Sequence, residues 1–163
     1  MTEAPSFDVF QPHDHRRCRK EALAAVLAEC SARKLRLTPP RRCVLEALLE
    51  EHRAMTAYEL LDRLREAGLG SQPPVVYRAL DFLLANGFAH RIERLSAFVA
   101  CTHGEGAHEA VFLVCRACRQ VAEASLPALA RNLEAEASEH AFRVERVAIE
   151  VEGLCARCAG AGA

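Results

Sequence analysis

Two pairs of cysteines with the same short spacing constrain this chain more than any other feature. Cys115 and Cys118 form one C-x-x-C pair, and after 36 intervening residues Cys155 and Cys158 form a second. Two residues between thiolates let both sulfurs reach one ion that lies about 2.3 Å from each. Four thiolates complete a tetrahedral structural zinc site with no position left for a substrate. Two redox pairs, or reduced core cysteines, are the alternatives at this point.

The composition limits the classes of protein to which the chain can belong. A length of 163 residues predicts one domain or two small ones. With 21 Lys and Arg against 22 Asp and Glu, the chain is not a broadly cationic protein that coats nucleic acid. Apolar runs fall well short of the roughly 18 residues of a membrane helix, and the N-terminus has no secretory signal pattern. We therefore expect a cytoplasmic protein.

The first half of the chain alternates between helical and strand-like patterns. Apolar residues recur at helical spacing over 16–34, from Thr38 onwards, from Thr56 to Gly68 and over 74–86. Thr56 and Glu59 form a T-x-x-E capping box at the start of the third predicted helix. Apolar and polar residues then alternate over 88–93 and 97–101, which predicts two strands joined as a hairpin. Three helices followed by a hairpin indicate a winged helix-turn-helix, in which helix 74–86 enters the major groove of DNA.

The second half predicts a smaller α/β unit. Strands over 110–115 and 120–124, a helix over 126–140 and a strand over 142–151 carry the cysteine pairs. A unit of about fifty residues buries too little apolar surface to be stable by itself, so it needs a metal, a partner subunit or both. The expected class is α+β, with four parts: a flexible tail (1–15), a winged-helix DNA-binding domain (16–101), a hinge (102–109) and the α/β domain (110–163).

A second group of metal-ligand types surrounds the predicted hinge. Imidazoles, carboxylates and one thiolate suit tetrahedral zinc better than octahedral, oxygen-preferring ions. A single histidine on a strand is more often packed or solvated, so this group is a weaker signal than the cysteine pairs. Its members are His90, Cys101, His103, Glu105, His108, Glu109 and Glu123.

Several ordered motifs resemble the ferric uptake regulator family, and most closely its zinc uptake regulator branch. They are Leu37-Thr38-Pro39-Pro40-Arg41, Pro73-Pro74-Val75-Val76-Tyr77-Arg78-Ala79-Leu80, Gly87-Phe88-Ala89-His90 and the two cysteine pairs. The resemblance runs from about residue 33 to residue 158. It implies a winged-helix domain hinged to an α/β dimerisation domain. It also implies a zinc-responsive repressor that binds palindromic operator DNA as a homodimer and controls zinc uptake genes.

The resemblance assigns the metal ligands residue by residue and implies two Zn²⁺ ions per monomer. The four paired cysteines match the family's structural zinc site. The regulatory site of the zinc branch matches His90, Cys101, His108 and Glu123, with His103 as a rival to His108. The iron branch carries a His-rich run before the first cysteine pair, where this chain has Gly106-Ala107-His108-Glu109.

The resemblance also implies which residues meet DNA. Tyr77 and Arg78 lie early in the recognition helix, and Tyr58 lies in the helix before it; these meet bases and backbone. Tyr77 could instead be a packed aromatic that anchors the helix. The departure at Val75, where relatives often have Thr, leaves the DNA register open. The residues expected at phosphates, which fix position rather than sequence, are Arg33, Arg41 and Arg42.

Other functions remain as alternatives. The same scaffold serves iron, manganese or peroxide sensors, and a zinc-dependent enzyme is a rival of another class. The sequence contains no nucleophile elbow, phosphate loop or H-E-x-x-H motif that would favour an enzyme. We expect Cys18 to be an exposed thiol and His52 a surface residue, and we expect His13, Asp14 and His15 to belong to a tail that binds metal weakly at most.

Overall fold

The chain forms two compact units, which are described here from a computed structural model. One unit comprises His13–Gly106, and the other combines Met1–Pro12 with Ala107–Ala163. The structure describes residues 8–10, 14–101, 110–145 and 147–160. The predicted hinge 102–109 and most of the predicted tail lie outside these residues. Within the described ranges, no helix is both long and apolar enough to cross a membrane.

Four helices make up most of the unit 13–106. They are α1 (His15–Ala32), α2 (Pro39–Glu50), α3 (Ala57–Glu66) and α4 (Pro73–Ala85). Prolines at the start of α2 and α4 occupy first-turn positions, where a missing backbone N–H costs nothing. The four helices predicted from apolar spacing are all present, with ends that differ by a few residues.

Side-chain caps explain where two of these helices begin. The Asp14 carboxylate accepts hydrogen bonds from the backbone N–H groups of Arg16 and Arg17 at the start of α1. At the start of α3, the Thr56 hydroxyl accepts from Glu59 N–H, and the Glu59 carboxylate accepts from Thr56 N–H at 2.7 Å. The predicted capping box is confirmed. Thr38 occupies the N-cap position of α2 without a side-chain cap bond.

A small antiparallel sheet completes this unit. Strands β1 (Met55–Thr56), β2 (Ala89–Ile92) and β3 (Ala97–Ala100) lie in the order β1-β3-β2. The strands β2 and β3 form the predicted hairpin, whose turn places Ser96 in the left-handed region at φ 46°. The two-residue strand β1, which pairs with β3, was not predicted from the sequence. Helices α3 and α4 with this hairpin form the winged helix-turn-helix.

The core of this unit lies between α2, α3, α4 and the sheet. Leucines from all three helices have almost no exposed surface, and they meet one face of α4. That face consists of Val76, Ala79, Leu80 and Leu83. The opposite face of α4 is therefore left to solvent, which is the requirement for a recognition helix.

The second unit is a three-stranded sheet with one longer helix. Its elements are β4 (Ala110–Cys115), β5 (Val121–Ser125), α5 (Pro127–Glu139), β6 (Ala148–Gly153) and the short α6 (Ala156–Gly160). The strand order is β5-β4-β6, antiparallel between β4 and β5 and parallel between β4 and β6. The α+β class predicted from the sequence is confirmed.

The last strand differs from its predicted range of 142–151. The strand β6 begins at Ala148, opposite Ala110 at the start of β4, and ends at Gly153, opposite Cys115. Residues 142–145 come before this first pair and form no strand. The alternating pattern of this segment was misleading because a strand exists only where a neighbour accepts its hydrogen bonds.

Candidate metal centres and basic surface

The four paired cysteines converge in the second unit. Cys115 ends β4, Cys118 lies in the turn that follows, and Cys155 and Cys158 lie just after β6 and in α6. The parallel pairing of β4 with β6 places Cys115 opposite Gly153, two residues before Cys155. One potential ligand atom from each cysteine lies within 4.8 Å of all the others.

The spacing of the sulfurs fits a tetrahedral zinc ion. Cys118 Sγ lies 3.8 Å from Cys155 Sγ. Two thiolates bound to one tetrahedral zinc at about 2.3 Å are separated by about 3.8 Å. The backbone N–H of Cys155 also donates to Cys115 Sγ at 3.4 Å, which stabilises a thiolate. The donor set, the spacing and the N–H donor all suit a closed structural zinc site.

The pKa values of two of these thiols are those expected of a cluster that binds a cation. Burial opposes ionisation of Cys115, but hydrogen bonds from the backbone of Cys155, Cys118 and Ala117 outweigh it and lower its pKa to about 6. A hydrogen bond with Cys155, together with burial and the other thiols, raises the pKa of Cys158 to about 12. Four adjacent thiolates repel one another, so full ionisation at neutral pH requires a bound cation.

His90 and Cys101 share one face of the small sheet. His90 on β2 pairs with Val99 on β3, and Ala89 pairs with Ala100. The Cys101 N–H extends this ladder by donating to the Phe88 carbonyl at 3.0 Å. Side chains alternate between faces along a strand, so Val99 and Cys101 project on the same side as His90. Such diagonal neighbours are close enough to act together.

Glu123 is a buried carboxylate on β5 of the second unit. Its side chain is 3% exposed, and it is opposite Phe112 on β4. Among the described residues, it is the one charged group in the buried class. A carboxylate in this position needs compensating hydrogen bonds or a cation. His108 and the rival His103 lie outside the described residues.

The aromatic and basic residues predicted to meet DNA lie on the outer surface of the helix-turn-helix. Tyr58 on α3 is 74% exposed, and Tyr77 on α4 is 48% exposed. Arg78 follows on the same outer side of α4 and is exposed. This exposure does not fit the alternative that Tyr77 is a packed core aromatic, because the apolar face of α4 turns away from it.

Arg41 is held in a defined orientation. Its guanidinium lies 3.8 Å from the centre of the Phe82 ring, and Nη1 donates to the Arg36 carbonyl at 2.6 Å. Stacking on the Phe82 ring holds the planar guanidinium in one orientation, so its remaining N–H donors point in fixed directions. The guanidinium is thus ordered before any phosphate reaches it.

Two further arginines of the predicted set also have intramolecular contacts. Arg33, just past the end of α1, donates from Nη2 to Asn86 Oδ1 at 2.9 Å. Arg42 on α2 pairs with Glu46 at 2.8 Å, and both side chains are partly exposed. Exposed pairs of this type contribute little free energy, so a phosphate can compete for either arginine.

Comparison with known proteins decides the family. The family model described as "Ferric uptake regulator family" matches residues 32–152. The chain belongs to this family. A curated member, the zinc uptake regulation protein of Escherichia coli strain K12, is 38% identical over 140 residues, which are 85% of this chain and 82% of that protein.

Solved structures of family members agree with this assignment. A zinc uptake regulator complexed with zinc and DNA is 36% identical, with a TM-score of 0.83, over 88% of this chain and 97% of that chain. The crystal structure of holo XcZur is 45% identical, with a TM-score of 0.78, over 86% of this chain and 98% of the other.

A third cluster of ligand types in this family member was not predicted. His15, Cys18 and His52 each offer a ligand atom within 4.8 Å of the others. All three side chains are half-buried, so the expectation that Cys18 is an exposed thiol was wrong. The H-x-x-C spacing of His15 and Cys18 was visible in the sequence, but His15 was assigned to the tail, and His52 lies 34 positions beyond Cys18.

Proposed function

We propose that this chain is a zinc-responsive transcriptional repressor that binds palindromic operator DNA as a homodimer and controls zinc uptake genes. The observation that carries the proposal is its likeness, along nearly the whole chain, to a zinc uptake regulator solved with zinc and DNA. Membership of a regulator family argues against the rival zinc-dependent enzyme. A regulator of this kind works in the cytoplasm, where the DNA is.

Each part of the chain has an assigned role in this proposal. Residues 16–101 bind DNA, residues 110–163 hold two protomers together, and residues 102–109 are the hinge after a tail at 1–15. The second unit supports a dimer because it exposes apolar side chains on a small sheet-and-helix body, where solvent contact is unfavourable. These side chains are Leu129, Leu133, Phe142, Val151 and Leu154.

The two zinc sites that the resemblance assigns would have different roles. Cys115, Cys118, Cys155 and Cys158 would hold the structural ion, which supplies folding energy to a unit too small to be stable alone. The regulatory ion would be held by four residues drawn from both units. These four residues are His90, Cys101, His108 and Glu123. Two observations support the set: His90 and Cys101 share one face of the small sheet, and Glu123 is buried.

Regulation follows from a ligand set that includes residues of both units. A zinc ion held by these residues would restrict the hinge between them. A dimer reads a palindrome only when its two recognition helices are about one helical turn, roughly 34–36 Å, apart. Restricting the hinge favours one such spacing, and a coupling of about 1–3 kcal/mol changes DNA affinity about 5- to 150-fold.

Different residues would recognise the bases and the phosphates of the operator. Arg78 is suited to guanine, where a guanidinium donates two hydrogen bonds to O6 and N7. Tyr77 and Tyr58 would contact bases and backbone beside it. Arg33, Arg41 and Arg42 would contact phosphates, and the stacking of Arg41 on Phe82 supports this assignment because its guanidinium is already ordered.

The proposal is tested by measuring zinc content and DNA affinity on the same full-length sample. Free zinc is titrated against a palindromic AT-rich duplex for wild type, Cys101→Ser and, as a matched control, the half-buried thiol variant Cys43→Ser. We expect Cys101→Ser to remain a folded dimer, to lose the regulatory zinc and to lose the zinc response. DNA binding that follows Fe²⁺ or Mn²⁺ instead, or an unchanged zinc response in Cys101→Ser, would contradict the proposal.

A further inference from the structure

A cluster outside both assigned zinc sites joins the start of α1 to the segment after α2. His15 and Cys18 lie one helical turn apart on α1, so they share a face of the helix. His52 lies two residues beyond the end of α2. The three residues belong to the same compact unit, and their ligand atoms lie within 4.8 Å of one another.

The distance between sulfur and imidazole suits a shared metal ion. Cys18 Sγ lies 3.6 Å from His52 Nε2. A thiolate and an imidazole on one tetrahedral zinc, at about 2.3 Å and about 2.0–2.1 Å, are separated by about 3.6 Å. An S–H···N hydrogen bond has a similar length, and it is the contact that the two side chains make without an ion.

The surroundings of His15 provide the second argument. Its Nε2 contacts the Glu50 backbone carbonyl, an acceptor to which this ring nitrogen must donate a proton. In a neutral imidazole, a proton on Nε2 leaves the lone pair on Nδ1. Metal-bound histidines almost always donate their other ring N–H to a carbonyl or a carboxylate. His15 is therefore held in the tautomer that a metal ligand requires, and its ring lies edge-on to His52 with centroids 4.7 Å apart.

We propose that His15, Cys18 and His52 form a third zinc site, with a solvent ligand in the fourth position. Two imidazoles and one thiolate are a borderline-to-soft donor set, which favours zinc over Mg²⁺ or Ca²⁺. All three side chains are half-buried, so the ion has access to solvent. The assignment concerns this unit alone and does not depend on the repressor function.

The position of the site indicates what it does. The buried residues of α1 are Val26 and Cys30, both in its second half. In its first turn, the half-buried side chains are His15 and Cys18, while the residues between them and residues 19–21 are exposed. Zinc at this cluster anchors the start of α1 against the end of α2. That start carries the basic residues Arg16, Arg17, Arg19 and Lys20.

The experiment uses the full-length protein with zinc as the only added metal. Wild type, Cys18→Ser, His52→Gln and Cys43→Ser are loaded with zinc, freed of excess and analysed for zinc per monomer. Cys43 is the matched control because it is also half-buried, and its sulfur contacts the Arg63 carbonyl instead of a histidine. We expect the first two variants to hold one zinc fewer than wild type and Cys43→Ser to hold the same number.

Alkylation of Cys18, followed by mass spectrometry of the digested protein, provides a second readout that needs no cysteine variant. At free zinc about ten times the dissociation constant, we expect zinc to slow alkylation of Cys18 about tenfold in wild type. We expect no such protection in His52→Gln. Equal zinc contents in all four proteins, or alkylation of Cys18 that zinc does not slow in wild type, would overturn the third site and leave a direct S–H···N contact.

Discussion

Cys118 Sγ and Cys155 Sγ lie 3.8 Å apart although they are 37 positions apart in the chain. The contact closes a loop that contains β5, α5 and β6, and therefore most of the second unit. A zinc ion between these sulfurs would hold both ends of that loop. The stability of the unit should then depend on each of the four thiolates, including those that bury little surface themselves.

Replacing Cys155 with Ser should unfold the second unit. Structural zinc contributes about 10–16 kcal/mol in zinc-finger peptides at pH 7. This is comparable with the total stability of a typical domain, about 5–15 kcal/mol. We expect loss of one tightly held zinc, loss of β-sheet signal in circular dichroism and rapid proteolysis after residue 110. Cys43→Ser is the control, and a protease-resistant Cys155→Ser protein with wild-type sheet content would refute the assignment.

Zinc affinity at the four cysteines should rise with pH. With its pKa raised to about 12 in the metal-free cluster, Cys158 keeps its proton at neutral pH, and zinc must displace that proton. Cys115, whose pKa is lowered to about 6, is ionised above that pH and adds a second displaced proton only in more acidic solution. At least one proton leaves per zinc, so the apparent dissociation constant should fall by at least about tenfold from pH 7 to pH 8.

This dependence is measured by competition with a chromophoric zinc chelator whose own pH dependence is known. The sign of the effect is the critical result. An affinity that is independent of pH between 7 and 8 would contradict the raised pKa of Cys158.

Arg78→Ala should reduce sequence discrimination without affecting the fold. The side chain is exposed on α4, opposite the face that packs into the core. Losing a bidentate contact to guanine should cost about 1–3 kcal/mol at one operator position and relax the preference there. Binding to operators with single base changes would be compared for wild type, Arg78→Ala and Arg143→Ala, an exposed arginine of the second unit. A uniform loss across all operators would instead identify Arg78 as a phosphate contact.

Arg42→Ala should weaken binding to all sequences about equally. Its partner Glu46 lies 2.8 Å away on the same helix, and such an exposed pair contributes little to stability. If Arg42 contacts a phosphate, the salt dependence of the binding constant should decrease by about one unit of slope. Affinities measured across a salt series provide this slope. An unchanged slope would remove Arg42 from the DNA interface.

Thr56→Ala should destabilise the unit 13–106 far more than Thr38→Ala. Thr56 is the cap of α3 and exchanges hydrogen bonds with Glu59, whereas Thr38 holds the same position on α2 without a side-chain cap bond. Loss of an N-cap bond costs about 0.5–2 kcal/mol. Thermal denaturation of the two full-length variants provides the comparison. Equal shifts in melting temperature would show that the capping box adds nothing to α3.

The helices of the unit 13–106 were predictable from the sequence because short-range interactions determine them. Apolar spacing of three and four residues located α1 to α4, and the Thr56–Glu59 box located the start of α3. Each of these interactions joins residues within one turn of helix. The cysteine pairs likewise carry their information locally, since two residues between thiolates suffice to suggest a shared ion.

The tertiary structure decided whatever depends on residues that are distant in the chain. Strand β1 is two residues long and exists because β3 lies beside it, and β6 begins at Ala148, the residue that pairs with Ala110 at the start of β4. The approach of His52 to His15 and Cys18 follows from the packing of α1 against α2, which no local pattern specifies. Strand pairing and metal-ligand geometry require that distant segments meet, and the free energy that brings them together comes from burial of the whole core rather than from the residues concerned.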